Sequence, residues 1–237
     1  MKIYSERIYV PEGEVRGTIT VADGKIIAVE KDIKDKDAVD YGSLRIIPGI
    51  FDTHNHGTCG FDPANRNDAA KDIAKEQIRG YLKALASQGV TSIFPTVMKC
   101  ESLKNVAEIA EENEVTGAEI LGIHSEGPWL NRVGEKGVRT GWPEISVEKA
   151  KEMVEAANGW LKLVAIAPEI PGAYDVIEYF LSQGITVAAA HSDNNYQQAM
   201  DGYSHGVSVA THLGNVMTDI HHRDVGGIGA GLLNDSV

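Results

Sequence analysis

The sequence predicts an α/β fold in which a small N-terminal β domain, residues 1–47, precedes a parallel (β/α)8 barrel of the TIM type in residues 48–237. Three observations predict it. Residues 1–47 read as short alternating segments separated by turn residues. After Leu44, short apolar runs alternate with segments of helical periodicity, which is typical of parallel βαβ units. The apolar runs are nearly continuous, as expected of strands that are covered on both faces.

In the N-terminal domain, residues 2–10, 15–21 and 25–30 alternate between apolar and polar side chains. The pair Asp23-Gly24 lies between the second and third of these runs, and an Asp-Gly pair in that position is a strong hairpin signal. We therefore expect a small β-sandwich-like domain, which needs further C-terminal strands to be complete.

In the second domain, the predicted strands and helices alternate along the chain. The strands are residues 45–51, 91–95, 119–124, 161–167, 186–190 and 207–211, and the helices are residues 69–88, 103–113, 147–160, 172–183 and 196–202. A closed eight-stranded barrel takes about 250 residues, and only 190 follow residue 47. Either the sheet is small and open or the sequence stops before the barrel closes. The final residues 232–237 carry no helix-ending or strand-ending signal, which favours the second interpretation.

The composition narrows the class of protein. The net charge of −12 argues against nucleic acid or an anionic membrane as the main partner, although a small anionic substrate answers to local charge. The two cysteines, Cys59 and Cys100, are too few for a disulfide framework and fit a reducing compartment. With no apolar stretch of membrane-spanning length and no signal peptide pattern, we expect a soluble cytoplasmic protein.

Four apolar runs end in residues that bind metals. His54 and His56 follow the first run, Glu126 ends the third, and His191 and His212 follow the last two. A single residue of this kind is more often an ordinary polar residue at the end of a strand than a metal ligand. The carboxyl ends of successive parallel strands converge on one crevice, however, so the set together predicts a metal site. Imidazoles with one carboxylate suit Zn²⁺ or Fe²⁺ better than Mg²⁺ or Ca²⁺.

His124 shares the face of Glu126 and is expected to line the site as a substrate-binding residue rather than as a metal ligand. Residues 226–231, a Gly-rich stretch, lack the following Lys and Ser or Thr of a phosphate loop. We interpret this stretch as a place of close backbone packing.

A set of ordered motifs resembles the N-acetylglucosamine-6-phosphate deacetylases of the amidohydrolase superfamily. The motifs are Pro48-Gly49 with Asp52, His54, His56 and Gly57; His124-Ser125-Glu126-Gly127-Pro128-Trp129-Leu130-Asn131; Ala167-Pro168-Glu169; Ala190-His191-Ser192-Asp193; and Thr211-His212-Leu213-Gly214-Asn215-Val216-Met217. They run in order through nearly all of the predicted barrel.

The resemblance implies a role for each matching residue. Glu126, His191 and His212 match the ligands of the main metal ion, and His54 with His56 matches the pair that some members use for a second ion. The implied reaction hydrolyses the acetamido group to an amine and acetate, with one or two divalent ions per subunit in a homodimer.

The resemblance also implies a substrate pocket. Asn215 and Arg223 match groups that hold the sugar 6-phosphate, with the backbone around Val216 assisting. An arginine in this role has an independent rationale, because a guanidinium binds phosphate bidentately.

Three departures bear on this assignment. The general acid-base of these enzymes, an Asp on the last barrel strand, has no counterpart before Val237, so we expect little activity from residues 1–237 alone. Arg139, which we expect to bind the substrate, stands where a His is usual, and Gly214 stands where an aromatic residue is common. The alternatives are therefore another amidohydrolase, acting on a different N-acetylated amino sugar phosphate or amide, and a non-catalytic sugar-phosphate-binding relative.

Overall fold

The structure is a computed structural model that describes residues 1–112, 116–132 and 144–237. The chain forms two units, Met1–Ile50 and Phe51–Val237. No helix in these described ranges is long and apolar enough to cross a lipid bilayer.

The first unit is built on one sheet. Its strands are β1 (Lys2–Val10), β2 (Gly13–Ala22), β3 (Lys25–Lys31), β4 (Val39–Asp40) and β5 (Arg45–Ile46). Neighbouring pairs among β1, β2 and β3 are antiparallel, and β4 and β5 each pair in parallel with β1. The predicted Asp-Gly hairpin is confirmed, since Asp23 and Gly24 have φ of 50° and 71° between β2 and β3.

The second unit alternates strands with helices. The strands are β6 (Ile50–Asn55), β7 (Val90–Val97), β8 (Glu119–Ile120), β9 (Ile123–Glu126), β10 (Leu161–Ile166), β11 (Thr186–Ala189) and β12 (Val209–Ala210). The helices are α1 (Lys71–Ser87), α2 (Cys100–Glu111), α3 (Val147–Ala156), α4 (Ala173–Ser182), α5 (Tyr196–Ser204) and α6 (Gly226–Leu233). The strand order is β12-β11-β10-β9-β7-β6, with β8 beside β7. From β7 to β12 the pairs are parallel, so the predicted parallel α/β architecture is confirmed.

The two faces of this sheet are packed differently. One face carries large side chains such as Ile166 and Val187, which join the helical residues Ile177 and Phe180 in the main core. The opposite face is lined by small residues, above all Ala165, Ala188 and Ala190. Both faces are apolar, which explains the nearly continuous apolar runs in the sequence.

Several elements differ from the prediction. The strand predicted over 45–51 is divided between β5, which pairs with β1 in the first unit, and β6, which begins at Ile50. The strand predicted over 119–124 is divided into β8 and β9 at Leu121-Gly122, where a Cβ on Gly122 would lie 2.4 Å from the Lys162 side chain. The helix predicted over 147–160 ends at Ala156, because Asn158 and Gly159 adopt left-handed φ of 45° and 84°.

The Gly-rich stretch 226–231 lies within a helix, α6, that the sequence did not predict. The close backbone packing predicted for it is confirmed at its first residue, since a Cβ on Gly226 would lie 2.7 Å from the carbonyl oxygen of Thr218.

Candidate metal centre

Five polar side chains meet at the carboxyl ends of four strands in the second unit. His54 lies near the end of β6 with His56 just beyond it, and Glu126 is the last residue of β9. His191 and His212 each lie two residues past the end of β11 and β12. The sheet order therefore places all five along one edge, and their side chains are in contact.

The carboxylate of Glu126 is at the centre of the cluster. Its Oε1 lies 3.0 Å from Nε2 of His191 and 3.0 Å from Nε2 of His212. Its Oε2 lies 2.8 Å from Nε2 of His56 and 3.4 Å from Nε2 of His54. Glu126 thus belongs to two groups of three possible metal ligands, one with His191 and His212 and one with His54 and His56.

The spacing of these donor atoms fits a divalent ion. The Nε2 atoms of His191 and His212 are 3.2 Å apart, and those of His54 and His56 are 3.1 Å apart. Tetrahedral ligands at the usual Zn–N distance of about 2.0–2.1 Å are separated by about 3.3 Å. Two imidazole nitrogens and a carboxylate oxygen in this arrangement are the donors that Zn²⁺ and Fe²⁺ take.

The electrostatics of the metal-free cluster follow from its geometry. Burial by itself raises the pKa of the Glu126 carboxyl, but hydrogen bonds with the four imidazoles outweigh burial and hold this pKa far below its usual range. The hydrogen bond to Glu126 raises the pKa of His212 above its ordinary value of 6.5, against the effect of burial. The site therefore keeps an anion at its centre across the neutral pH range.

The orientation of His191 is set by its backbone surroundings. Its Nδ1 donates to the carbonyl of Arg132 at 2.8 Å, which fixes the plane of the ring and directs Nε2 at Glu126. Such an outer hydrogen bond is the usual support of a histidine that binds a metal.

The turn that carries His54 and His56 is fixed by Asp52, a residue to which the sequence analysis gave no role. One carboxylate oxygen of Asp52 accepts the backbone N–H of His54 at 3.1 Å, and the other accepts the side-chain amide of Asn55 at 3.0 Å. The backbone N–H of Asn55 donates to Oγ1 of Thr96 on β7 at 2.9 Å. These bonds explain why a carboxylate two residues before His54 belongs to the motif.

His124 lies behind the cluster and is fully buried. Its Nδ1 donates to the carbonyl of Thr53 at 3.1 Å, and its ring packs edge-to-face on His54, with the ring centres 4.7 Å apart. Burial, followed by the charge of His54, lowers the pKa of His124 to about 3, so this imidazole is neutral at physiological pH. The contact with substrate that the sequence analysis assigned to His124 stays a prediction.

The residues assigned to a phosphate lie on the segment between β12 and α6. Asn215 and Arg223 are exposed there, and Val216 has φ of 54°, an unusual value for a β-branched residue. Arg223 lines a cavity of about 430 Å³ together with Tyr196. Arg139, the other predicted substrate contact, lies outside the described residues.

A second carboxylate near the centre was missed as a functional candidate. Glu169 follows β10, and its Oε1 accepts hydrogen bonds from the side chain of Asn131 and from the backbone N–H of Asp193. Burial raises its pKa, and these two hydrogen bonds oppose that effect. Its position in the motif Ala167-Pro168-Glu169 was the only available sequence signal.

Comparison with known proteins adds a family to this geometry. A model of the amidohydrolase family matches residues 45–231. N-acetylglucosamine-6-phosphate deacetylases from Vibrio furnissii and Bacillus subtilis are 33% and 32% identical to the chain, over 89% and 95% of it. An N-acetylgalactosamine-6-phosphate deacetylase from Escherichia coli O157:H7 is 29% identical over 90% of the chain. The chain spans 53%, 59% and 56% of the length of these three relatives.

Solved structures show the same similarity. N-acetylglucosamine-6-phosphate deacetylases from Mycobacterium smegmatis and Pasteurella multocida superpose on the whole chain with TM-scores of 0.80 and 0.81, each at 25% identity. The chain covers 62% and 63% of those two proteins. A 5-methylcytosine deaminase from Klebsiella pneumoniae, 13% identical, superposes on 86% of the chain with a TM-score of 0.59 and thus shares the fold. The parallel sheet is accordingly part of an amidohydrolase barrel, as predicted.

Proposed function

The chain belongs to the amidohydrolase family, and on this premise we propose that the protein hydrolyses N-acetylglucosamine-6-phosphate to glucosamine-6-phosphate and acetate. The observation that carries the proposal is the contact of Glu126 with His191 and His212 at the carboxyl edge of the sheet. Relatives of this name match the chain at about a third identity and across most of its length.

Glu126, His191 and His212 would hold the main divalent ion, which we propose to be Zn²⁺ or Fe²⁺, and His54 with His56 would hold a second. The chemistry that a bound ion supplies in such a site is polarisation of the acetyl carbonyl and activation of water at neutral pH. Glu126 contributes a permanent negative charge, because its pKa is held far below neutrality. His191 contributes a fixed lone pair, because its other nitrogen donates to Arg132.

Asn215, Arg223 and the backbone of Val216 would bind the phosphate, and Arg139 would contact the sugar. In a chain of net charge −12, a phosphorylated substrate needs a local cation. The exposed guanidinium of Arg223 supplies one on the segment that also carries His212.

The reaction is tested by measuring acetate released from N-acetylglucosamine-6-phosphate by the full-length protein loaded with Zn²⁺ or Fe²⁺. Arg223→Ala should raise KM about 10- to 100-fold, the equivalent of one hydrogen bond to a charged group, and Arg223→Lys should lie between this variant and the wild type. The control is Arg79→Ala, which removes an exposed guanidinium on α1 paired with Glu112. No release of acetate, with turnover of a different amide, would refute the substrate and keep the reaction class.

The second candidate substrate is N-acetylgalactosamine-6-phosphate, favoured by the relative from Escherichia coli O157:H7 that carries that name. The two sugars differ in configuration at one carbon, so parallel kcat/KM measurements on both decide between them. Preference for the galactosamine derivative would replace the first assignment.

We also propose that the protein is a cytoplasmic homodimer, on the resemblance of its motifs to enzymes of that kind. Light scattering of the purified protein, with and without phosphorylated sugar, measures the assembly. A monomer under all conditions would contradict the proposed dimer.

A further inference from the structure

Two loops extend beyond the sheet near the candidate metal centre, one that follows Glu126 and one that carries His191. β9 ends at Glu126 and β11 ends at Ala189, and the next residues, Gly127 and Ala190, still donate to carbonyls of β10. Such pairing with β10 does not extend to His191 itself. His191 also has a left-handed φ of 48°, which a residue with a side chain adopts only when its surroundings hold it there. Other contacts must therefore fix the direction of its imidazole.

The first set of contacts joins the two loops directly. The backbone N–H groups of Asn131 and Arg132 donate to the carbonyl of His191 at 3.0 and 2.8 Å. The imidazole of His191 donates back to the carbonyl of Arg132 at 2.8 Å. The position of His191 thus depends on the position of Asn131 and Arg132.

The second set comes from the strand between them. Oε1 of Glu169 accepts the side-chain amide of Asn131 at 2.9 Å and the backbone N–H of Asp193 at 2.6 Å. One carboxylate oxygen, just past the end of β10, therefore links Asn131, which binds the backbone of His191, with Asp193, which follows His191 by two residues. Oε2 of Glu169 is buried and has no hydrogen-bond partner among the described residues, so the link depends on one oxygen.

We propose that Glu169 is a positioning residue that fixes the imidazole of His191 against Glu126. This role rests on the proposed metal site, whose geometry Glu169 would maintain without touching the ion or the substrate. Two substitutions separate it from a general contribution to stability. Glu169→Gln keeps an acceptor oxygen at the same reach, whereas Glu169→Asp keeps the charge and shortens the side chain by one methylene.

The experiment measures Co²⁺ affinity and the visible absorption of bound Co²⁺, which reports coordination geometry, in the protein and its variants. Outer-sphere supports of metal ligands typically contribute about 10- to 100-fold in affinity. We expect Glu169→Asp to lose affinity in that range with a changed spectrum, and Glu169→Gln to stay within about threefold of the wild type. Ser102→Ala is the matched control, because it removes a buried hydrogen bond to Ala64 at 2.7 Å, outside the linked loops, and should leave both readouts unchanged.

A metal-free measurement completes the test. The ¹⁵N resonances of His191 report whether its Nδ1 carries the proton that bonds to Arg132. We expect Nδ1 to be fully protonated in the wild type and Glu169→Gln but only partly protonated in Glu169→Asp. Wild-type affinity and spectrum in Glu169→Asp would overturn the positioning role, as would equal losses in the Asp and Gln variants. If the wild-type protein binds no Co²⁺ but the three proteins show the expected protonation of His191 Nδ1, the metal site is refuted. Glu169 would then position His191 for some other role.

Discussion

Glu126→Gln tests how the candidate centre uses one carboxylate for two groups of ligands. The wild-type side chain presents Oε1 to His191 and His212 and presents Oε2 to His54 and His56. An amide has one acceptor oxygen and no charge, so it can serve only one of the two groups, and its NH₂ must face the other. We therefore expect the variant to bind at most one ion per chain.

The expected loss at the remaining position follows from the same geometry. Removing an outer hydrogen bond to a metal ligand costs about 10- to 100-fold in affinity, and replacing an ionised ligand by a neutral one should cost more than 100-fold, or about 2.7 kcal/mol. Titration calorimetry with Zn²⁺ or Co²⁺ gives both the stoichiometry and the Kd. Glu108→Gln is the matched control, since it makes the same chemical change on α2, where Glu108 pairs with Lys71 and Lys75 outside the cluster. Unchanged stoichiometry and a Kd within threefold of the wild type in Glu126→Gln would refute Glu126 as a shared ligand.

Three further predictions concern the metal-free protein. The hydrogen bond to Glu126 raises the pKa of His212, so the stability that this bond contributes is complete below about pH 6.5 and is lost as the pH rises through the raised pKa. The midpoint of urea unfolding in EDTA should therefore fall between pH 6 and pH 9. An equal fall in His212→Asn would contradict this. Phe180→Ala empties a fully buried position and should cost about 3–5 kcal/mol in urea unfolding, and a cost below 1 kcal/mol would show that the site collapses. Gly227→Ala should lower the melting temperature, because the added Cβ would lie 2.4 Å from Oδ1 of Asn194. This clash would outweigh the ordinary gain in helix stability when alanine replaces glycine. A higher melting temperature would show that Asn194 moves aside.

The sequence predicted those features that depend on the periodicity of the chain. Alternating and continuous apolar runs mark the strands, and the convergence of parallel strand ends predicted that residues as distant as His54 and His212 would meet. The Asp23-Gly24 turn was predictable because its backbone conformation is local.

The features that were missed depend on contacts between distant segments. The break at Gly122 is accompanied by close packing on Lys162 and Phe94, neither of which is a neighbour in sequence. Helix α6 begins in glycines with poor helix propensity, and its first N–H groups are satisfied by Asp224 and by Thr218. Apart from its place in a motif, Glu169 carried no sequence signal, because its partners lie on the loops that follow two other strands.

The left-handed backbone at His191 and His212 explains why the ligands lie just past the strands and not within them. The two residues have φ of 48° and 36°, and each such conformation costs about 1–2 kcal/mol for a residue that has a Cβ. In return, the chain turns at each strand end, and both Nε2 atoms lie 3.0 Å from the same oxygen of Glu126. Each turn has its own support, since the carbonyl of His191 accepts two loop N–H groups and that of His212 accepts the N–H of Asn215 at 2.9 Å. Because Asn215 is also a proposed phosphate ligand, the bond that holds the His212 turn ties the proposed metal site to the proposed substrate pocket over three residues.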